Sequence, residues 1–310
     1  MAEVLIVSRL LQFAAVIVVF GCGAFRLYGL AFDTTTTSTG ALITFDAWFW
    51  RVTIVGAIVA LLSGLSLLLA VTANMAGSAA AALDPNTIGT VLLNTSFGRV
   101  WCSRLVFALL LIGACFAPLR WRIPAILVLS LLLLITLGWV GHAVEGQGAT
   151  KIAHELNQMV HLLAAGLWLG GLVPLAWFLR RARRPSGTAW ISLAPAVLTR
   201  FSYVGYAAVA LLAATGAINS LLLVGHMEAL IDTPYGRLLA LKILLFSVMV
   251  VLALINRFRL LPRLRRKLQP SAPIAALARS VLFEQALGFA VLAVVSVLGT
   301  WPPAIHHHSG

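Results

Sequence analysis

The sequence predicts an all-α membrane protein, a bundle of about eight transmembrane helices, and three observations carry that prediction. The chain is 61% hydrophobic and 10% charged over 310 residues, more apolar surface than a water-soluble core hides. Its apolar stretches reach the roughly 20 residues that cross a bilayer. The basic residues behind the formal charge of +13 gather in short loops, as the positive-inside rule expects. That clustering points to a membrane and argues against nucleic acid as a partner.

In order, the apolar windows fall at roughly 4–30, 48–72, 98–117, 123–142, 157–179, 197–224, 236–256 and 274–300. Each is read as a helix, because only a helix satisfies its own backbone in lipid. The opening MAEVLIVSRLLQF lacks an early positive cluster and a small-residue cleavage site, so it reads as a first span. Arg180, Arg181, Arg183 and Arg184 follow the fifth span, RFRLLPRLRRK follows the seventh, and Arg120 and Arg122 separate the third and fourth. These loops are predicted to be cytoplasmic, which puts both termini on the outer, periplasmic side. The loop after the first span fits least well, with Asp33 and Asp46 inside it and Arg26 and Arg51 only at its edges.

The segment MAGSAAAALDPNTIGTVLLNTSFG is too polar to span. It is expected on the outer surface or partway into the bilayer, with Asp84-Pro85 opening a short helix. Residues 1–310 read as a single transmembrane domain without a soluble module, and no internal repeat stands out. Cys22, Cys102 and Cys115 lie in apolar runs and read as packing residues. Trp101, Trp139 and Trp301 near span ends read as an interfacial belt.

The predicted topology sorts the chemistry. His142, His154, His161 and His226 all fall at the outer ends of spans or in outer loops, with Glu145, Glu155, Met227, Glu228 and Asp232. The cytoplasmic side has arginines instead. His142 ends the fourth span and His161 begins the fifth across a short loop, so the two imidazoles are expected to reach one site. His154 lies about two helical turns from His161 on nearly the same face. Asn157 and Gln158 share that face and are expected to hold ring nitrogens in one tautomer. Imidazoles suit copper, zinc, nickel and haem iron, and a thioether from Met159 or Met227 favours Cu(I).

Three charges sit inside apolar runs: Arg104, Lys242 and Glu284. Glu284, near mid-membrane, is expected to pair with Lys242 or Arg104, to serve an ion or proton path, or to do both. Gly166 and Gly170 form a GxxxG that lets another helix approach closely. His306 to His308 read either as a native metal-catching tail or as a tag remnant within 306–310. There is no phosphate loop, no DKTGT segment, no CPC in a span and no hydrolytic triad, so neither an ATP-driven pump nor an enzyme is expected.

The segments TSFGRVWCSR (95–104), GHA (141–143), HLLAAGLWLGGL (161–172), RFS (200–202), YGRLLALK (235–242) and NR (256–257) occur in one order, with the late Glu284 and a Gly-Thr-x-Pro-Pro ending. In this the chain resembles the copper resistance protein D family, most strongly over 95–300. The resemblance implies an inner-membrane protein of about eight spans that passes copper, as Cu(I) or Cu(II), from the periplasm into the cytoplasm. A separate periplasmic copper-binding protein is the implied partner. His142 and His161 match the family's histidines and Glu284 its acidic residue. Two other readings stay open on the residues alone: a b-type haem protein with His142 and His161 as axial ligands, and a platform for a copper chaperone without transport.

Overall fold

A computed structural model describes residues 2–31, 36–139, 148–224, 229–266 and 271–301. Among these, eight helices are long and apolar enough to cross a membrane. Their order is α1 (Ala2–Tyr28), α2 (Thr36–Ala76), a surface helix α3 (Pro85–Asn94), α4 (Ser96–Ala114) and α5 (Leu119–Thr136). Next come α6 (Gly148–Ala165), a π turn (Gly166–Gly170) and α7 (Gly171–Ala182), which together form the fifth span. The rest are α8 (Thr188–Val224), the short α9 (Ala229–Asp232), α10 (Pro234–Ile255), a second π turn (Asn256–Leu260), α11 (Leu261–Arg266) and α12 (Ser271–Leu298). The eight expected spans are all present. Several helices run well past the hydrocarbon, which the apolar windows alone do not show.

α1 is the hub. Val16, Ile17, Val19, Phe20, Cys22 and Phe25 are almost wholly buried, because α1 packs against α2, α5, α7, α12 and the first π turn. Its seat on the fifth span is made by glycine. A Cβ on Gly170 would stand 2.1 Å from the Ile17 carbonyl oxygen, and one on Gly21 would stand 2.3 Å from the Gly170 carbonyl carbon. The two backbones meet with no room for a side chain, as the GxxxG predicts. Four residues beyond Gly170, Pro174 has no N–H to offer that glycine's carbonyl.

The loop after the first span resolves its charge locally. Arg26 donates through Nε to Asp46 Oδ1 at 2.6 Å and through Nη2 to Oδ2 at 3.2 Å, a two-pronged pair that neutralises the acid. Asp33 lies outside the described residues. Asp84 caps α3 as expected, accepting from the Thr87 amide at 2.9 Å and its hydroxyl at 2.6 Å, with Pro85 in the first turn. Trp101 corrects the belt expectation: it is 2% exposed, and its indole donates to the Gly64 carbonyl at 2.8 Å. Trp139 and Trp301 are partly exposed, as belt residues should be. Cys22 and Cys115 are buried and all three cysteines are free.

Two helix starts are alike. α4 and α10 each follow a short helix and open on T-x-x-G-R, with the threonine hydroxyl accepting from the glycine amide: Thr95 from Gly98 at 2.8 Å, Thr233 from Gly236 at 2.9 Å. Arg104 and Lys242 stand at the same offset from those caps. Spans three and seven therefore start alike, each behind a short helix and on the same threonine cap.

Candidate metal site

α6 presents His154, Asn157, Gln158 and His161 at the end of the bundle opposite the arginine loops. Its partner is α8. Asn157 Nδ2 donates to Asn219 Oδ1 at 2.9 Å and to the Thr215 carbonyl at 3.2 Å, and Asn219 Nδ2 donates to Gln158 Oε1 at 3.0 Å. Interhelical amide bonds of this kind fix register where hydrocarbon offers no other polar partner.

His161 Nδ1 lies 2.8 Å from Thr215 Oγ1. The single hydroxyl proton of Thr215 goes to the Leu211 carbonyl at 2.6 Å. Thr215 therefore accepts from the ring, and the hydrogen-bond network assigns the proton of a neutral imidazole to Nδ1. The Nε2 lone pair is left for a ligand, the form in which histidine binds metal. Gly216 lies beneath the ring, where an added Cβ would touch Cε1 at 3.7 Å.

The expected partners differ in one respect. Asn157 and Gln158 lie beside His161 but bond to α8, and the ring is oriented by Thr215. Thr215 and Asn219 are missed by a sequence reading centred on histidine. Their signal is two polar residues one turn apart in an apolar span. His154 is partly exposed and makes no hydrogen bond among the described residues. His142 and His226 lie outside the described residues, as do Glu145, Met227, Glu228 and His306 to His308. Among the described residues no three of His, Cys, Asp and Glu converge. The fourth span does reach this face: a Cβ on Gly138 would lie 3.5 Å from Gln158 Cγ and 3.7 Å from Met159 Cγ.

The three intramembrane charges take separate places. Glu284, 1% exposed, accepts from Asn256 Nδ2 at 2.5 Å; the expected pairing with Lys242 or Arg104 does not form. Arg104 is buried and donates from Nη2 to the Thr136 carbonyl at 2.6 Å, with its guanidinium 4.3 Å from the Trp101 ring centre. It satisfies a carbonyl left over at the end of α5. Lys242 stands within electrostatic reach of His161 and has no hydrogen bond among the described residues.

Comparison with known proteins gives the family. The description "Copper resistance protein D-like, N-terminal domain" matches residues 1–152, and "Copper resistance protein D" matches residues 195–298. Inner membrane protein YebZ of Escherichia coli (strain K12) is 34% identical over 300 residues, covering 96% of this chain and 98% of that protein. Copper resistance protein D of Pseudomonas syringae pv. tomato is 29% identical over 308 residues, covering 96% of each. Copper transport protein CutJ of Bacillus subtilis (strain 168) is 30% identical over 261 residues, covering 80% of this chain and 45% of that protein. No solved structure matches. Eight spans and an end-to-end match to an inner membrane relative make this a multi-pass inner-membrane protein, and the chain belongs to the copper resistance protein D family.

Proposed function

We propose that this protein takes copper at its periplasmic face and passes it into the cytoplasm, with His161 as the central ligand. The observation that carries the reading is the fixed tautomer: Thr215 holds the Nδ1 proton and leaves Nε2 bare. An uncommitted imidazole at the rim of a span suits copper. His142 is the second ligand in this reading. It follows Trp139 by three residues, a tether of at most about 11 Å, and Gly138 is already against Met159. His154, about two turns from His161 on α6, and His226 complete the set of nitrogen donors in this reading.

The orientation rests on charge. From His161 to Arg180 the fifth span rises about 29 Å, the thickness of the hydrocarbon core. The basic loops then lie in the cytoplasm and the histidines and both termini in the periplasm. Copper there is supplied by a separate periplasmic copper-binding protein.

Metal analysis of purified wild type beside the His142→Ala/His161→Ala double variant tests the site. Copper retained by wild type and lost from the variant at equal protein yield is the expected result. Equal copper in both, or a haem absorbance band in place of copper, overturns it. Copper accumulation in cells and influx into proteoliposomes then separate a carrier from a passive platform.

A further inference from the structure

Two seams of the bundle, α2 with α4 and α8 with α10, are packed differently. In the first, the seam between α2 and α4 is closed: Trp101 fills it, bonded to Gly64 and packed with Leu67 and Leu68. In the second, between α8 and α10, a cleft of about 70 Å3 lies at the end of α10 away from its threonine cap. Its walls are apolar, but its polar groups are gathered. Trp168, Asn256, Arg257 and Glu284 all line it.

These groups have unmet hydrogen-bonding capacity. Asn256 Oδ1 is buried with no partner, and the Trp168 indole N–H has none among the described residues. One oxygen of Glu284 takes the Asn256 amide, and the other makes no hydrogen bond among the described residues. A donor, an amide oxygen and a carboxyl oxygen around a space several times that needed by one ordered water make a hydrated pocket.

We propose that Glu284 binds and releases a proton in this cleft and couples that proton to copper passage; the coupling rests on the copper-transport reading above. Copper itself prefers nitrogen and sulfur donors, and two oxygens are too few to strip and hold a hard metal ion. A proton needs only the pair present. When water in the cleft gives Glu284 a proton, the new O–H donates to Asn256 Oδ1, and the carboxamide turns from donor to acceptor. When the proton returns to water, Asn256 Nδ2 again donates to the carboxylate.

The surroundings leave Glu284 as the group that exchanges. Arg257, from the second π turn, holds its guanidinium 5.2 Å from the Tyr203 ring centre and 5.9 Å from that of Tyr206. α8 offers Ser202 and Tyr206, α7 offers only leucines, and α11 offers Leu261. α1 brings Arg9 against Gly299, about 22 Å along α12 from Glu284. Lys242 is about 21 Å along α10 from Asn256.

Infrared difference spectroscopy of the purified full chain across a pH titration, with Glu284→Gln and Asn256→Leu as variants, reads the proton directly. A protonated-carboxyl band that titrates in wild type, vanishes in E284Q and moves its midpoint in N256L is expected. A band that is absent, or is unchanged in E284Q, overturns the assignment. In proteoliposomes, copper influx into wild type is expected to change several-fold when a pH gradient is imposed, and E284Q is expected to lose that response. A response that survives in E284Q overturns the coupling. If the band behaves as expected while wild type moves no copper, the proton site stands and the transport reading falls.

Discussion

Thr215 Oγ1 stands 2.8 Å from His161 Nδ1 and 2.6 Å from the Leu211 carbonyl, accepting the ring proton from the first and giving its own proton to the second. The first contact determines which face of the imidazole is chemically available. Replacing Thr215 with valine keeps the shape and removes the acceptor. Copper affinity is expected to fall by about tenfold or more, while Thr215→Ser retains it. Competition against a coloured copper chelator measures both, and equal affinity in T215V would remove the tautomer from the argument.

Asn219 joins α8 to α6 through two carboxamide bonds. Asn219→Leu is expected to cost about 1 kcal/mol in a membrane setting, read as a lower unfolding midpoint in mixed detergent. No shift would mean that packing alone holds the α6–α8 register.

Lys242 places a positive charge within reach of His161, where it opposes a second cation. Lys242→Met is expected to make the site hold copper more tightly and release it more slowly. Chelator-triggered release from the purified protein tests this, and faster release would contradict it.

Gly170→Ala introduces a carbon 2.1 Å from the Ile17 carbonyl oxygen. Neither backbone can yield cheaply, so a loss of about 3 kcal/mol is expected, seen as poor yield and early unfolding. Gly113, with open space around it, is the control: its alanine variant is expected to behave as wild type.

Asp84 caps α3, and the hydroxyl of Thr87, then the amides of Thr87 and Asn86, hold its carboxyl below the usual aspartate range. A depressed carboxyl contributes stability above the unfolded value of about 3.9, and loses it as pH falls through the lower folded value. Protection of the Thr87 amide from hydrogen exchange is expected to drop on strong acidification and to be low at all pH in Asp84→Ala. Protection unchanged in D84A would remove the cap.

The spans, the Asp84 cap and the glycine seat at Gly166 and Gly170 were legible because each is dictated by local chemistry: apolar length, a side-chain acceptor before a proline, and the absence of a Cβ. His161 was legible as a polar residue at the lip of a span. Its partner Thr215 was not, since only the packing of α8 on α6 makes that threonine differ from the others in the chain. Glu284 was visible as a buried charge, but its match with Asn256 depends on where the second π turn places the carboxamide. Trp101 resembled a belt residue because nearness to a span end is readable, whereas the Gly64 carbonyl waiting for it is not.

The seat of α1 on the fifth span also bears on how the protein is made. The hydroxyl of Tyr28 reaches the Leu167 carbonyl at 3.3 Å across 139 positions of sequence, beside the glycines that bring the two backbones together. α1 thus finds its central neighbour only after a further 139 positions of the chain have been made. Until then its most buried face must be sheltered by lipid or by the insertion machinery. A cell that truncates synthesis before Gly166 would be left with a first half lacking its keystone.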